Sequence, residues 1–120
     1  MGEGIDCCYV EAFDAIDSDP NNELIVAENS GVVIGTLQIT FSPNLTHRGA
    51  LRGTIEGVRV SSCCRSMGVG TEMLGWAIER CRSRNCRIVQ LTSDLTRIDA
   101  ISFYAEFGFE HTHAGMKLRI

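Results

Sequence analysis

The stretch VSSCCRSMGVGTEML, residues 60–74, decides how this chain folds. It begins in the last residues of a β-branched, alternating run, passes through two glycines that flank a valine, and ends in an amphipathic pattern. Val69, Met73, Ala77 and Cys81 form one helical row with Leu74 and Ile78 beside it, so a helix starts near Gly70. Glu72 sits near its start and Arg80, Arg82 and Arg84 near its end, the polarity that a helix dipole favours. A strand that runs through a glycine turn into a helix leaves backbone N–H groups unpaired and converging on one spot, with the positive end of the dipole behind them. Such a spot binds phosphate. Gly68 and Gly70 let the backbone approach an anion, and Arg65 adds a charged donor.

Outward from this turn the pattern is mixed α/β. Upstream, GTIEGVRV alternates with period two, placing Ile55, Gly57 and Arg59 on one face and Glu56, Val58 and Val60 on the other. Before it, ELIVAENSGVVIGTLQITF reads as a hairpin turning at Asn29-Ser30-Gly31, and CCYVEAFDAID as a short helix with Tyr9, Val10, Phe13 and Ile16 on one face. Downstream, RIVQLTSD is a continuous apolar strand of the kind buried on both faces, completing a strand–helix–strand crossover. RIDAISFYAEF is a last helix capped by Gly108, and FEHTHAGMKLRI reads as a closing hairpin.

Bulk properties narrow the function classes. The 120 residues suit one domain, residues 1–120, and 44% hydrophobic with 22% charged residues is ordinary globular composition. A formal charge of −4 argues against a nucleic-acid partner. No apolar run approaches the ~20 residues that cross a bilayer, and no basic leader precedes an apolar core, so a soluble cytoplasmic protein is expected. Met1-Gly2 opens like a myristoylation signal, but position 6 is Asp6 where that signal needs Ser or Thr. The six cysteines fall as Cys7-Cys8, Cys63-Cys64, Cys81 and Cys86, without the spacing of a zinc site. Reduced, mostly buried thiols and no metal are expected.

Two nucleotide motifs are excluded by inspection. A Walker loop needs Gly-Lys-Ser/Thr where this chain has Gly70-Thr71-Glu72, and the dinucleotide fingerprint needs glycine at Met73. The spacing V-x-x-x-x-R-x-x-G-x-G, on Val60, Arg65, Gly68 and Gly70, instead resembles the acetyl-CoA signature of the GNAT superfamily of N-acyltransferases. About thirty residues later, Ala100, Tyr104, Gly108 and Phe109 resemble that family's closing A-x-x-x-Y-x-x-x-G-F segment. The resemblance spans roughly residues 23–120.

It implies a mixed, mostly antiparallel twisted sheet with a central splayed parallel pair flanked by helices, the N-terminal strand and helix being shortened or absent. It also implies acetyl-CoA as cosubstrate and direct acetyl transfer to an amine of a small molecule or a protein. The loop Arg65, Ser66, Met67, Gly68, Val69, Gly70 and Thr71 would hold the pyrophosphate. The backbone of Val58, Arg59 and Val60 would hold the acyl carbonyl and pantetheine, although Val58 and Val60 also read as core residues. Arg97 stands where the family often has an asparagine, seven residues ahead of Tyr104, and can meet CoA phosphate as a cation.

Tyr104 stands where the family's thiolate-protonating tyrosine stands. A phenol titrates near ~10 and a thiol near ~8.5, so its help would be a hydrogen bond to the departing sulfur; its other reading is a packing residue. Glu56, sharing a face with Val58 in plain alternation, is a candidate base or else an ion-pair partner of Arg59 or Arg52. His111 and His113 are rival bases, or solvated side chains. Cys63 and Cys64 read as structural. An edge left unpaired by a missing strand would favour a homodimer, and a catalytically silent acyl-CoA-binding or sensing domain is the alternative function. A thiol-based redox or metal protein is the third reading, resting on six cysteines without motif spacing.

Overall fold

The computed structural model describes residues 6–120; Met1-Gly2 lies outside them. Helix α1, Cys7–Ser18, begins at Asp6, whose carboxylate accepts the Cys8 N–H at 3.1 Å. It stops at Asp19, whose carboxylate oxygens take the Asn21 N–H and the Asn22 amide, each at 2.8 Å, and turn the chain into the sheet. Strands β1, Asn22–Asn29, and β2, Val32–Ser42, form the expected hairpin, with Ser30 and Gly31 both at positive φ, 52° and 82°. A single turn, α2, Thr46–Gly49, leads to β3, Arg52–Val60, antiparallel to β2. After a 3-10 turn at Ser62–Cys64 comes α3, Val69–Ser83, then β4, Ile88–Leu91, parallel to β3, and α4, Ile98–Glu106. The sheet order is β1-β2-β3-β4. Among the described residues no helix is long and apolar enough to cross a membrane.

The core lies between one face of the sheet and α3. Leu37, Ile39 and Phe41 of β2, Ile55 of β3, and Met73, Leu74, Ala77 and Cys81 of α3 are all buried together. The helical row read from the sequence is therefore the face that packs. Ile25 and Ala27 of β1 and the aromatic side of α4 close the margins of this core. Phe103 meets Tyr104 and Phe107 edge-on, with ring centres 5.4 and 5.3 Å apart. Gly108, at φ +99°, ends α4 as expected.

Four expectations are corrected. The plain alternation of β3 is broken: Thr36 pairs with Arg59 but Gln38 with Glu56, so β3 holds one extra residue, and Gly57 takes φ +62°. This bulge resets the period, so Val58 and Val60 join Ile55 in packing on the core while Glu56 and Arg59 are exposed. The terminal segment forms no hairpin; residues 109–120 run without regular pairing, and Met116 and Leu118 are exposed. Strand β4 has four residues, is half-buried, and exposes Gln90, because nothing pairs with its outer edge among the described residues. The thiols are free but not mostly buried: Cys81 alone is buried, Cys64 and Cys86 are intermediate, and Cys7, Cys8 and Cys63 are exposed. Cys7 and Cys8 sit in a helix without a buried face, and Cys63 and Cys64 in a surface turn, where a small apolar side chain has little to pack on. Burial pushes the Cys81 thiol up to about 12.

One ion pair ties β1 to α3. Glu23 accepts Arg80 Nε at 2.9 Å, and Arg84, 3.8 Å from the same carboxylate, lies over the Phe41 ring at 4.1 Å. The Arg80 hydrogen bond holds the Glu23 carboxyl below its ordinary 4.5, so its contribution is present above that value and is lost as pH falls through the lowered one. Glu23→Gln should lower Tm by a few degrees at neutral pH. The gap from wild type should narrow as pH is taken down below the ordinary 4.5, as followed by thermal melts at neutral and acid pH.

Candidate active site

The β3–β4 ladder runs only from Arg52 paired with Ile88 to Ile55 paired with Leu91. Beyond it β3 continues to Val60, still bonded to β2, and the Ser61 N–H reaches the Ile34 carbonyl at 2.8 Å. On its other side residues 56–60 therefore face no strand. The two parallel strands have splayed, and the bulge at Gly57 sits at the point of divergence, where its added twist turns β3 away from β4. A cavity of about 140 Å³ fills the gap, lined by residues 55–59 and 91–94, with Arg97 and Tyr104 of the α4 region at its end.

The turn between β3 and α3 follows directly on the unpaired end of β3, although none of its residues lines the cavity. Ser66 at φ +68° and Gly68 at φ +83° bend the chain, and Gly68 occupies the cap position of α3 in the left-handed conformation that glycine adopts at least cost. Space beside Gly68 is open: a Cβ there would meet nothing within 4 Å. Gly70 differs. A Cβ on it would point inward, 3.7 Å from Phe103 Cζ and 3.9 Å from Val60 Cγ2, so it faces packing and not the open cradle. Arg65, Ser66, Met67 and Thr71 are exposed, and Val69 is half-buried against the core. The first N–H groups of α3 have no carbonyl of their own helix to bond.

Tyr104 is half-buried, its ring edge-on to Phe103 and, at 6.1 Å, to Phe109. Packing and cavity-lining thus coincide in this side chain. Glu56 also lines the cavity, but exposed and on the face opposite Val58, so the partial burial expected of it is absent. His111 and His113 stand on the exposed terminal segment and are not among the cavity-lining residues.

Ser93 and Asp94 did not stand out in the sequence. The Asp94 carboxylate accepts the Thr96 N–H at 2.9 Å and the Thr96 hydroxyl at 2.7 Å, and these bonds hold its carboxyl below the usual range. The resulting Asx-turn, with the Arg97 N–H on the Asp94 carbonyl at 2.9 Å, launches α4 and sets Arg97 beside the cavity. Asp-x-Thr ahead of a helix was the available signal. Ser93 Oγ is buried with no hydrogen-bond partner among the described residues while its residue lines the cavity. An orphaned buried hydroxyl calls for a ligand or water. No group of three or more His, Cys, Asp or Glu side chains among the described residues is arranged to hold a metal.

Residues 3–109 match the family model described as the acetyltransferase (GNAT) family. The chain belongs to the GNAT acetyltransferases. It is 28% identical over 105 residues to an aminoalkylphosphonate N-acetyltransferase of Salmonella typhimurium, covering 88% of this chain and 68% of that one. Among solved structures, a transcriptional regulator from Bacillus halodurans C-125 superposes with TM-score 0.96 at 47% identity, over 98% of this chain and 79% of that one. A putative acetyltransferase from Agrobacterium tumefaciens superposes with TM-score 0.86 at 27% identity, over 92% and 76%.

Within this GNAT domain the two loop glycines have different physical reasons, and substitution separates them. Gly68→Ala should destabilise by ~1 kcal/mol through its positive φ. Gly70→Ala, at an ordinary φ with only van der Waals contacts ahead of its Cβ, should stay within ~0.5 kcal/mol of wild type in urea denaturation.

Proposed function

We propose that this protein is an N-acetyltransferase that moves the acetyl group of acetyl-CoA directly to a primary amine, residues 1–120 acting as one catalytic domain in the cytoplasm. The observation that carries this reading is the splay of β3 from β4 over a cavity that Tyr104 lines, on a strand that leads into the open turn at Gly68. Bound acetyl-CoA supplies an acetyl group activated as a thioester. The residues present fit it: the turn at Arg65, Ser66, Met67, Gly68, Val69, Gly70 and Thr71 offers N–H donors and a cation to pyrophosphate, and the orphaned Ser93 hydroxyl suits the amide-bearing pantetheine arm.

The backbone of Val58, Arg59 and Val60 binds and orients the acyl group, while the Val58 and Val60 side chains pack inward. Arg97 meets phosphate or an anionic acceptor. The Tyr104 hydroxyl donates a hydrogen bond to the sulfur as it departs, and Glu56 at the cavity rim draws the proton from the amine, directly or through water. The acceptor is a small-molecule or protein amine. Aminoalkylphosphonates, for which the Salmonella relative is named, are the first to try. Exposed Tyr9 and Phe13 on α1, with Leu24 and Val26 on the edge strand β1, support a homodimer.

A second reading, a catalytically silent acyl-CoA-binding domain, is favoured by one observation: the protein of 47% identity is described as a transcriptional regulator. Calorimetry and turnover separate the two. Wild type should bind acetyl-CoA, and Arg65→Glu should weaken binding at least ~tenfold. Tyr104→Phe should leave binding unchanged and lower kcat ~100-fold on an amine that supports CoA release. Tight binding with no release across an amine panel would favour the sensing reading, and no binding at all would overturn both.

A further inference from the structure

The 3-10 turn Ser62–Cys64 carries two adjacent thiols that neither the core nor acetyl transfer uses. Cys63 is exposed and Cys64 half-exposed, in contrast to the buried Cys81. Their sulfurs are 3.6 Å apart, and Cys63 Sγ is 3.3 Å from Ser61 Oγ. The two thiols are unequal. A hydrogen bond from Ser61, then one from Cys64, holds the Cys63 thiol below its ordinary value, while donation to Cys63 pushes Cys64 up. One sulfur is thus the better thiolate and its neighbour keeps a proton, the pairing of an attacking and a resolving thiol.

We infer that Cys63 and Cys64 form a reversible oxidation site for hydroperoxides, with Cys63 the nucleophile and Cys64 the resolving thiol. The Cys63 thiolate attacks one peroxide oxygen; an S–O bond forms, the O–O bond breaks, and hydroxide or alkoxide leaves. Sulfur is oxidised to sulfenic acid and the peroxide is reduced. The Cys64 sulfur then bonds to Cys63, expelling the sulfenic oxygen as water with the Cys64 proton. Two thiols and one hydroperoxide give a disulfide, water, and a second water or an alcohol.

Neighbouring Cα atoms lie ~3.8 Å apart, inside the ~4.4 Å at which unstrained disulfides begin, so this ring is strained and easily reduced. Closing it also disturbs the turn, whose Cys64 N–H bonds the Ser61 carbonyl at 2.9 Å, and the next residue is Arg65 of the phosphate cradle. Oxidation therefore weakens acetyl-CoA binding, a consequence that rests on the function proposed above.

The test treats whole protein with hydrogen peroxide and follows peptide 60–65, released by trypsin after Arg59 and Arg65, by mass. In wild type that peptide should lose two hydrogens and regain them with dithiothreitol. Cys64→Ser should stop at a dimedone-trappable sulfenic acid, and Cys63→Ser should stay unoxidised at the same dose. Acetyl-CoA affinity should fall ~tenfold on oxidation and recover on reduction. Oxidation confined to Cys7 and Cys8, or a Cys63→Ser variant as reactive as wild type, would overturn the proposal. Should reduced wild type fail to bind acetyl-CoA, the proposed function falls while the peptide masses still decide the oxidation site.

Discussion

The close seat of α3 on the sheet is the constraint on which the site depends. Two strand positions lack side chains where the helix crosses: a Cβ at Gly35 would come 2.5 Å from Met73 Sδ, and one at Gly53 would come 2.5 Å from Cys81 Sγ. Both are closer than real Cβ contacts come, so a side chain at either position would force Met73 or Cys81 aside, and the glycines let the helix approach and bury Met73, Leu74, Ala77 and Cys81. Because α3 is held along this whole row, its N-terminus has no freedom to drift. The first turn of α3 is thereby fixed next to Val60, which Gly70 approaches, and the Glu23 to Arg80 pair pins the far end of the helix to β1.

How far the sequence could be read follows from which forces are local. The α3 row, the Ser30-Gly31 hairpin and the Gly108 cap were legible because each is set by a period or by one residue's dihedral freedom. The bulge was not, although Gly57 inside a strand is a known sign of one. Simple alternation explains RGTIEGVRV equally well until the pairing with β2 is known. That single residue reassigns Glu56 to the opposite face from Val58. The terminal segment misled for a related reason: FEHTHAGMKLRI has strand-forming residues, but a strand is defined by its pairing, and residues 109–120 pair with no strand although the outer edge of β4 is open. Ser93 was illegible because an orphaned hydroxyl is a property of its surroundings, not of its type.

The site's position also has a general cause. In a parallel pair the carboxyl ends of both strands and the N-terminus of the crossover helix point the same way, so a gap there gathers free backbone groups and a helix dipole at once. Here the gap opens after Ile55 and Leu91, and the next residues of both strands line it. Arg59 and Arg97 line it together with Glu56 and Asp94, so the cavity's own charges balance, and Arg65 on the turn before α3 is a further cation outside that lining. A formal charge of −4 spread over the surface is screened within about 10 Å at ordinary salt, whereas these arginines and the α3 terminus act at contact range. The anionic cosubstrate proposed above is therefore compatible with an acidic protein, whose net charge would act at longer range than these contacts.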